Sequence, residues 1–214
     1  MNSDKERKDK VGAGRPTSTF TRMERVPPLQ MLLYLGIAGI GVLFLVLLGA
    51  YIHTRVQSGV PTGLYSFPRF FSLSTIVLLS SSYTLAQAAR LYREDDIPNL
   101  ARCLGATFVL GLIFAGLQVM GWRELMDQGI YFRGDASGTY VYLISALHVA
   151  HLLAGMLFMS GLFLRVLHIS RDGVRTLLFI RNPYRRLQLR MLSMYWHFMG
   201  ALWVLMFTVF LFFY

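Results

Sequence analysis

Acidic residues are missing where this chain is most apolar. It has 11 Asp and Glu against 21 Lys and Arg, and no charged residue falls inside its five longest uncharged runs, at about 29–52, 70–89, 103–122, 138–164 and 191–213. Runs without Asp, Glu, Lys or Arg and without broken-helix features argue against a small transporter, and a proton wire would need successive titratable groups. Cysteine is almost absent too: Cys103 stands alone, which excludes an internal disulfide framework and any zinc site built on several thiolates. Cys103 therefore reads as a small packing residue. Charge of any sign is thin, 15% of residues against 55% hydrophobic, and this excludes an ordinary soluble domain. Internal repeats and low-complexity tracts are lacking as well.

What remains is a membrane protein. Each of the five runs is long enough to cross roughly 30 Å of hydrocarbon as a helix. Arg69 and Arg90 bracket the second run, Arg102 and Arg123 the third, and Asp135 and Arg165 the fourth. The first run is too long for a signal-peptide core and follows a long basic leader, so it reads as a retained span. Residues 1–28 read as a flexible basic tail and 29–214 as a five-helix membrane domain. The basic residues alternate by loop. Lys5, Arg7, Lys8, Lys10, Arg15, Arg22 and Arg25 precede the first run; Arg90, Arg93 and Arg102 lie between the second and third; Arg165, Arg171, Arg175, Arg181, Arg185, Arg186 and Arg190 lie between the fourth and fifth. Only Arg55, Arg69, Arg123 and Arg133 fall on the other side. By the positive-inside rule the N-terminus is cytoplasmic and the C-terminus outside. Orientation and anionic lipid thus explain the net charge of +10, and no nucleic-acid partner is expected.

Small and polar residues suggest how the helices meet. Span one carries Gly36, Ala38, Gly39 and Gly41, a patch that admits a close neighbour. Span two holds Ser72, Ser74, Thr75, Ser80, Ser81, Ser82 and Thr84, hydroxyls expected to face other helices or bond back to their own backbone. Span three has Gly111 and Ala115 at small-xxx-small spacing and closes on Gln118, which needs a partner within hydrocarbon. In span four, Ala146, Ala150 and Ala154 form one stripe and His148, His151 and Gly155 another, so two faces of that helix are expected to make contacts.

His148 and His151, at i, i+3, could begin a metal site. Of the other histidines, His53 and His168 sit at span ends, leaving His197 as the intramembrane candidate. Counting residues from the cytoplasmic ends puts His197 roughly 10 Å shallower than His151, which disfavours a shared metal or haem. The other reading has neutral imidazoles that point into the bundle and fix its packing.

The stretches "FFSLSTIVLLSSSYTLAQA", Gln118, "SALHVAHLLAGM" and "YWHFMGALWVLMFTVF", in that order, resemble subunit III of the haem–copper oxidases, the cytochrome c oxidase group. The resemblance spans roughly residues 70–214. It implies an accessory subunit of an aerobic terminal oxidase in the bacterial cytoplasmic membrane. Such a chain is non-catalytic on its own and has no cofactor; haem and copper sit in the partner catalytic subunit I. The family has seven-helix members and five-helix members, and this chain looks like the short form. It further implies contacts with other oxidase subunits, bound phospholipid near spans one to three, and motif positions at Gln118, His148, His151, Gly155, Tyr195, Trp196, His197 and Trp203. Three departures stand out: span one has no acid, position 121 is glycine, and Met199 and Gly200 replace the aspartate usual after Tyr-Trp-His-Phe. A direct proton-handling role is accordingly not expected. The alternatives are an accessory protein associated with nitric oxide reductase, a His-ligated metal or haem membrane enzyme, and a small transporter.

Overall fold

The computed structural model describes residues 27–58, 67–132, 136–170 and 183–213. Residues 1–26 of the basic tail, and residues 171–182 of the loop before the fifth run, lie outside the described residues. The described residues fold as α1 (Pro28–Gln57), α2 (Arg69–Arg93), α3 (Ile97–Asp127), α4 (Ala136–Ile169) and α5 (Pro183–Phe213), with no strand among them. Each helix contains one uncharged run and outlasts it. Backbone hydrogen bonds inside a helix need no apolar surroundings, so each continues into the flanking Arg, Gln and Leu residues, which are good helix formers.

Two helix ends are fixed by local chemistry. After α3, Gly129 adopts φ 82°, and the Gly129 and Ile130 amides bond the Met126 and Leu125 carbonyls at 3.0 and 3.1 Å. This is a glycine-terminated Schellman closure. After α2 the same role falls to Asp95 at φ 60°, with the Asp96 amide 3.1 Å from the Leu91 carbonyl. Asp96 then caps α3, its carboxylate accepting from the Asn99 amide at 3.2 Å, so α2 and α3 form a tight hairpin.

Helices α2, α3, α4 and α5 form a ring in which each packs on the next, and α1 lies outside it against α4 and α5. The core between them is aromatic: Phe71, Phe114, Trp196, Trp203 and Phe210 are fully buried. The outward face of α1, with Leu32, Leu35, Val42 and Val46, stays exposed. Arg55, near the end of α1, is buried and donates from Nε to the Phe213 carbonyl at 2.7 Å, tying α1 to α5.

Among the described residues four helices, α1, α3, α4 and α5, are long and apolar enough to cross a membrane. The fifth, α2, falls short because its hydroxyl residues lower its hydropathy. The alanine stripe departs from expectation: Ala146, Ala150 and Ala154 are exposed, so among the described residues it is the histidine face of α4 that is engaged. A Cβ added at Gly36 or Gly39 would likewise meet nothing within 4 Å, whereas one at Gly41 would stand 3.7 Å from the Phe198 ring.

Candidate functional site

The hydroxyls of α2 form the polar centre of the bundle. Trp203 donates its indole N–H to Thr75 Oγ1 at 2.9 Å, Trp196 to Ser81 Oγ at 3.0 Å, and Gln118 Nε2 to Ser74 Oγ at 2.8 Å. Those hydroxyls give their own protons to α2 carbonyls. Ser74 and Thr75 both donate to Phe71 O at 2.8 Å, and Ser81 donates to Leu78 O at 2.7 Å. A hydroxyl has one proton and two lone pairs, so it can close a bond to its own helix and still accept one from outside. An indole N–H in an apolar interior costs about 1–3 kcal/mol unless bonded. The serines and threonines that make α2 too polar for an isolated span are the acceptors that α3 and α5 require.

The histidine face of α4 meets α5. His151 Nδ1 lies 2.8 Å from the Leu147 carbonyl, to which it donates, and the Tyr195 hydroxyl donates to the His151 carbonyl at 2.8 Å. Gly155 makes room for that tyrosine, since a Cβ there would stand 2.7 Å from Tyr195 Cε1. His148 is fully buried, its ring 5.1 Å from Trp203, 5.9 Å from Phe114 and 6.1 Å from Phe44 between centroids. Neither of its ring nitrogens, nor Gln118 Oε1, has a hydrogen-bond partner among the described residues.

His197 is elsewhere. It lines a cleft with Tyr92 and Arg93 of α2 and Arg190 of α5, away from the aromatic box around His148. Among the described residues no three His, Cys, Asp or Glu side chains gather as a metal-ligand set. Of the eight motif positions, seven meet at helix contacts inside the bundle, and His197 faces the cleft.

An aromatic box around an imidazole with no hydrogen bond supports packing more than proton chemistry. Replacing His148 with leucine removes two unsatisfied polar atoms at similar volume, so His148→Leu is expected to leave stability unchanged or raise it by about 1 kcal/mol. Thermal unfolding of the purified protein checks this. A loss above about 2 kcal/mol would mean that the ring nitrogens carry a contact that matters.

Several contacting residues had only a generic signal in the sequence. The hydroxyl cluster marked α2 as a contact helix, but nothing in spacing selected Ser74, Thr75 and Ser81 over their neighbours. The Trp122 indole, 2.9 Å from Ser145 Oγ, and the Arg55 contact were missed because pairing across helices leaves no local periodicity.

Comparison with known proteins bears on what this bundle belongs to. Residues 29–214 match the family model for cytochrome c oxidase subunit III. The chain is 29% identical over 179 residues to cytochrome c oxidase subunit 3 of Bacillus sp. strain PS3, covering 82% of this chain and 81% of that one. It is 31% identical over 135 residues to the probable cytochrome c oxidase subunit 3 of Mycobacterium bovis, 63% of this chain and 62% of that one. A probable quinol oxidase subunit 3 of Staphylococcus epidermidis is 26% identical over 136 residues, 64% of this chain and 63% of that one.

Proposed function

The chain belongs to the cytochrome c oxidase subunit III family, and on that premise we propose that it is an accessory subunit of an aerobic terminal oxidase, seated in the bacterial cytoplasmic membrane beside the catalytic subunit I. In this reading all five helices span, the N-terminus is cytoplasmic, and haem and copper reside in the partner. The chain contributes rigidity and phospholipid contacts near α1–α3. The observation that carries the reading is how the motif residues are used. Gln118, Tyr195, Trp196 and Trp203 all bond to other helices of the same chain, as a scaffold requires. The hydropathy of α2 is compatible with spanning, because the hydroxyls of Ser74, Thr75 and Ser81 are satisfied inside the ring.

Purification through an N-terminal tag in mild detergent tests this. The chain is expected to bring down a large subunit with haem bands in the reduced-minus-oxidised spectrum and oxygen consumption. The tag should also be protected from protease added to intact spheroplasts. A chain that emerges alone and colourless would overturn the proposal, and one that carries haem or iron itself would support the metal-enzyme alternative.

A further inference from the structure

A cleft of about 750 Å³ opens between the last turns of α2 and the first half of α5. One stripe of α5 lines it: Arg186, Arg190, Ser193 and His197, at spacings of four, three and four. Arg93 and Tyr92 face them from α2. Arg93, Arg186 and Arg190 are exposed. Arg93 uses Nε on the Ala89 carbonyl at 3.2 Å, and none of the three has an ion pair among the described residues. Asp95 is close enough to act on the Tyr92 phenol, as Arg186 and Arg185 do, but it does not line the cleft. The remaining wall is apolar, with Ala89, Leu189 and Met194. From Arg186 to His197 the cleft follows α5 for roughly 16 Å, basic at its mouth and apolar along its wall.

We infer that this cleft is a binding site for one anionic glycerophospholipid of the cytoplasmic leaflet, its phosphate held by Arg93, Arg186 and Arg190 and an acyl chain lying along the wall toward His197. The inference rests on the membrane orientation proposed above, and the site is distinct from the lipid contacts near α1–α3. Three guanidiniums without acidic partners favour phosphate, which accepts two hydrogen bonds from one guanidinium. A free phosphate would leave the apolar wall without use. A lipid of the same leaflet matches both halves, and basic side chains beside a membrane surface each add to the attraction for anionic headgroups.

The test uses the whole oxidase complex carrying this chain, exchanged into detergent with equimolar phosphatidylglycerol and phosphatidylcholine of the same acyl chains. Native mass spectrometry then counts the lipid retained. Wild type is expected to keep phosphatidylglycerol, and the double variant Arg186→Gln, Arg190→Gln to lose that preference by about ten-fold or more. A control with the same charge change, Arg102→Gln with Arg165→Gln, removes two exposed cations that do not line the cleft and should keep the preference. Equal retention by wild type and the cleft variant would overturn the inference, as would equal retention of the two lipids by wild type. Displacement of the lipid by inorganic phosphate would also overturn it, and so would loss of another subunit in place of lipid, which would mean that the cleft holds protein. Failure of the chain to enter an oxygen-consuming complex would instead count against the function proposed above. A complex that forms and turns over but shows no preference for the anionic lipid counts against this site alone.

Discussion

Replacing Gly155 with alanine is expected to destabilise the bundle by about 1–3 kcal/mol and to strip this chain from its complex under detergent conditions that the parent survives. An added methyl would sit 2.7 Å from Tyr195 Cε1 and 3.1 Å from Cδ1, well inside contact distance. A flexible side-chain tip could swing away, but the Tyr195 ring is held by its hydroxyl on the His151 carbonyl at 2.8 Å. The structure must then either part α4 from α5 or break that bond, leaving a carbonyl and a hydroxyl short of partners. The contrast lies on the same helix. A Cβ at Gly161 meets nothing within 4 Å, so Gly161→Ala should be neutral or slightly stabilising through helix propensity. Trimming Tyr195 to leucine in the Gly155→Ala background should recover part of the loss, a coupling that a double-mutant cycle measures. Equal unfolding midpoints for Gly155→Ala and Gly161→Ala would show that the α4–α5 contact is looser than the geometry implies.

That contact illustrates what could be read in advance. Uncharged runs located all five helices, and in α1, α3, α4 and α5 the run is also long and apolar enough to cross a membrane, as a helix with its backbone bonded internally can. The pairing of His151 and Gly155 on one face followed from helical spacing, and the partner of that face, Tyr195, lay in a motif already singled out. The alanine stripe of α4 misled, since small residues admit a close neighbour without specifying that it belongs to the same chain; Ala146, Ala150 and Ala154 are exposed here. The arginine-lined cleft was hidden for a different reason. The basic loop residues were already accounted for by orientation, and only the packing of α2 against α5 brings Arg93 beside Arg186 and Arg190. The hydroxyls of α2 were legible as a class, but assigning Thr75 to Trp203 and Ser81 to Trp196 required knowing which helix stands opposite.

The larger effect is expected at Trp203. Its side chain is fully buried, edge-on to Phe114 at 5.2 Å and to Phe71 at 6.2 Å between centroids, and tilted against His148 at 5.1 Å. Truncation to alanine opens a cavity where α2, α3, α4 and α5 converge and should cost about 3–5 kcal/mol, enough to leave little of the chain in the complex. Trp203→Phe should cost clearly less, because a ring still fills most of the space and the lost indole N–H leaves no orphaned donor. Thr75 still gives its own proton to the Phe71 carbonyl at 2.8 Å. Removing the other partner differs. Thr75→Val keeps the shape but strands the indole N–H and should cost about 1–3 kcal/mol; in a Trp203→Phe background the same change should cost almost nothing. The haem spectrum per catalytic subunit should stay unchanged throughout, since these variants act on a scaffold. Spectral change in proportion to the Trp203 variants would place this residue near a redox centre and contradict the accessory reading, whereas wild-type stability of Trp203→Ala would contradict the packing argument itself.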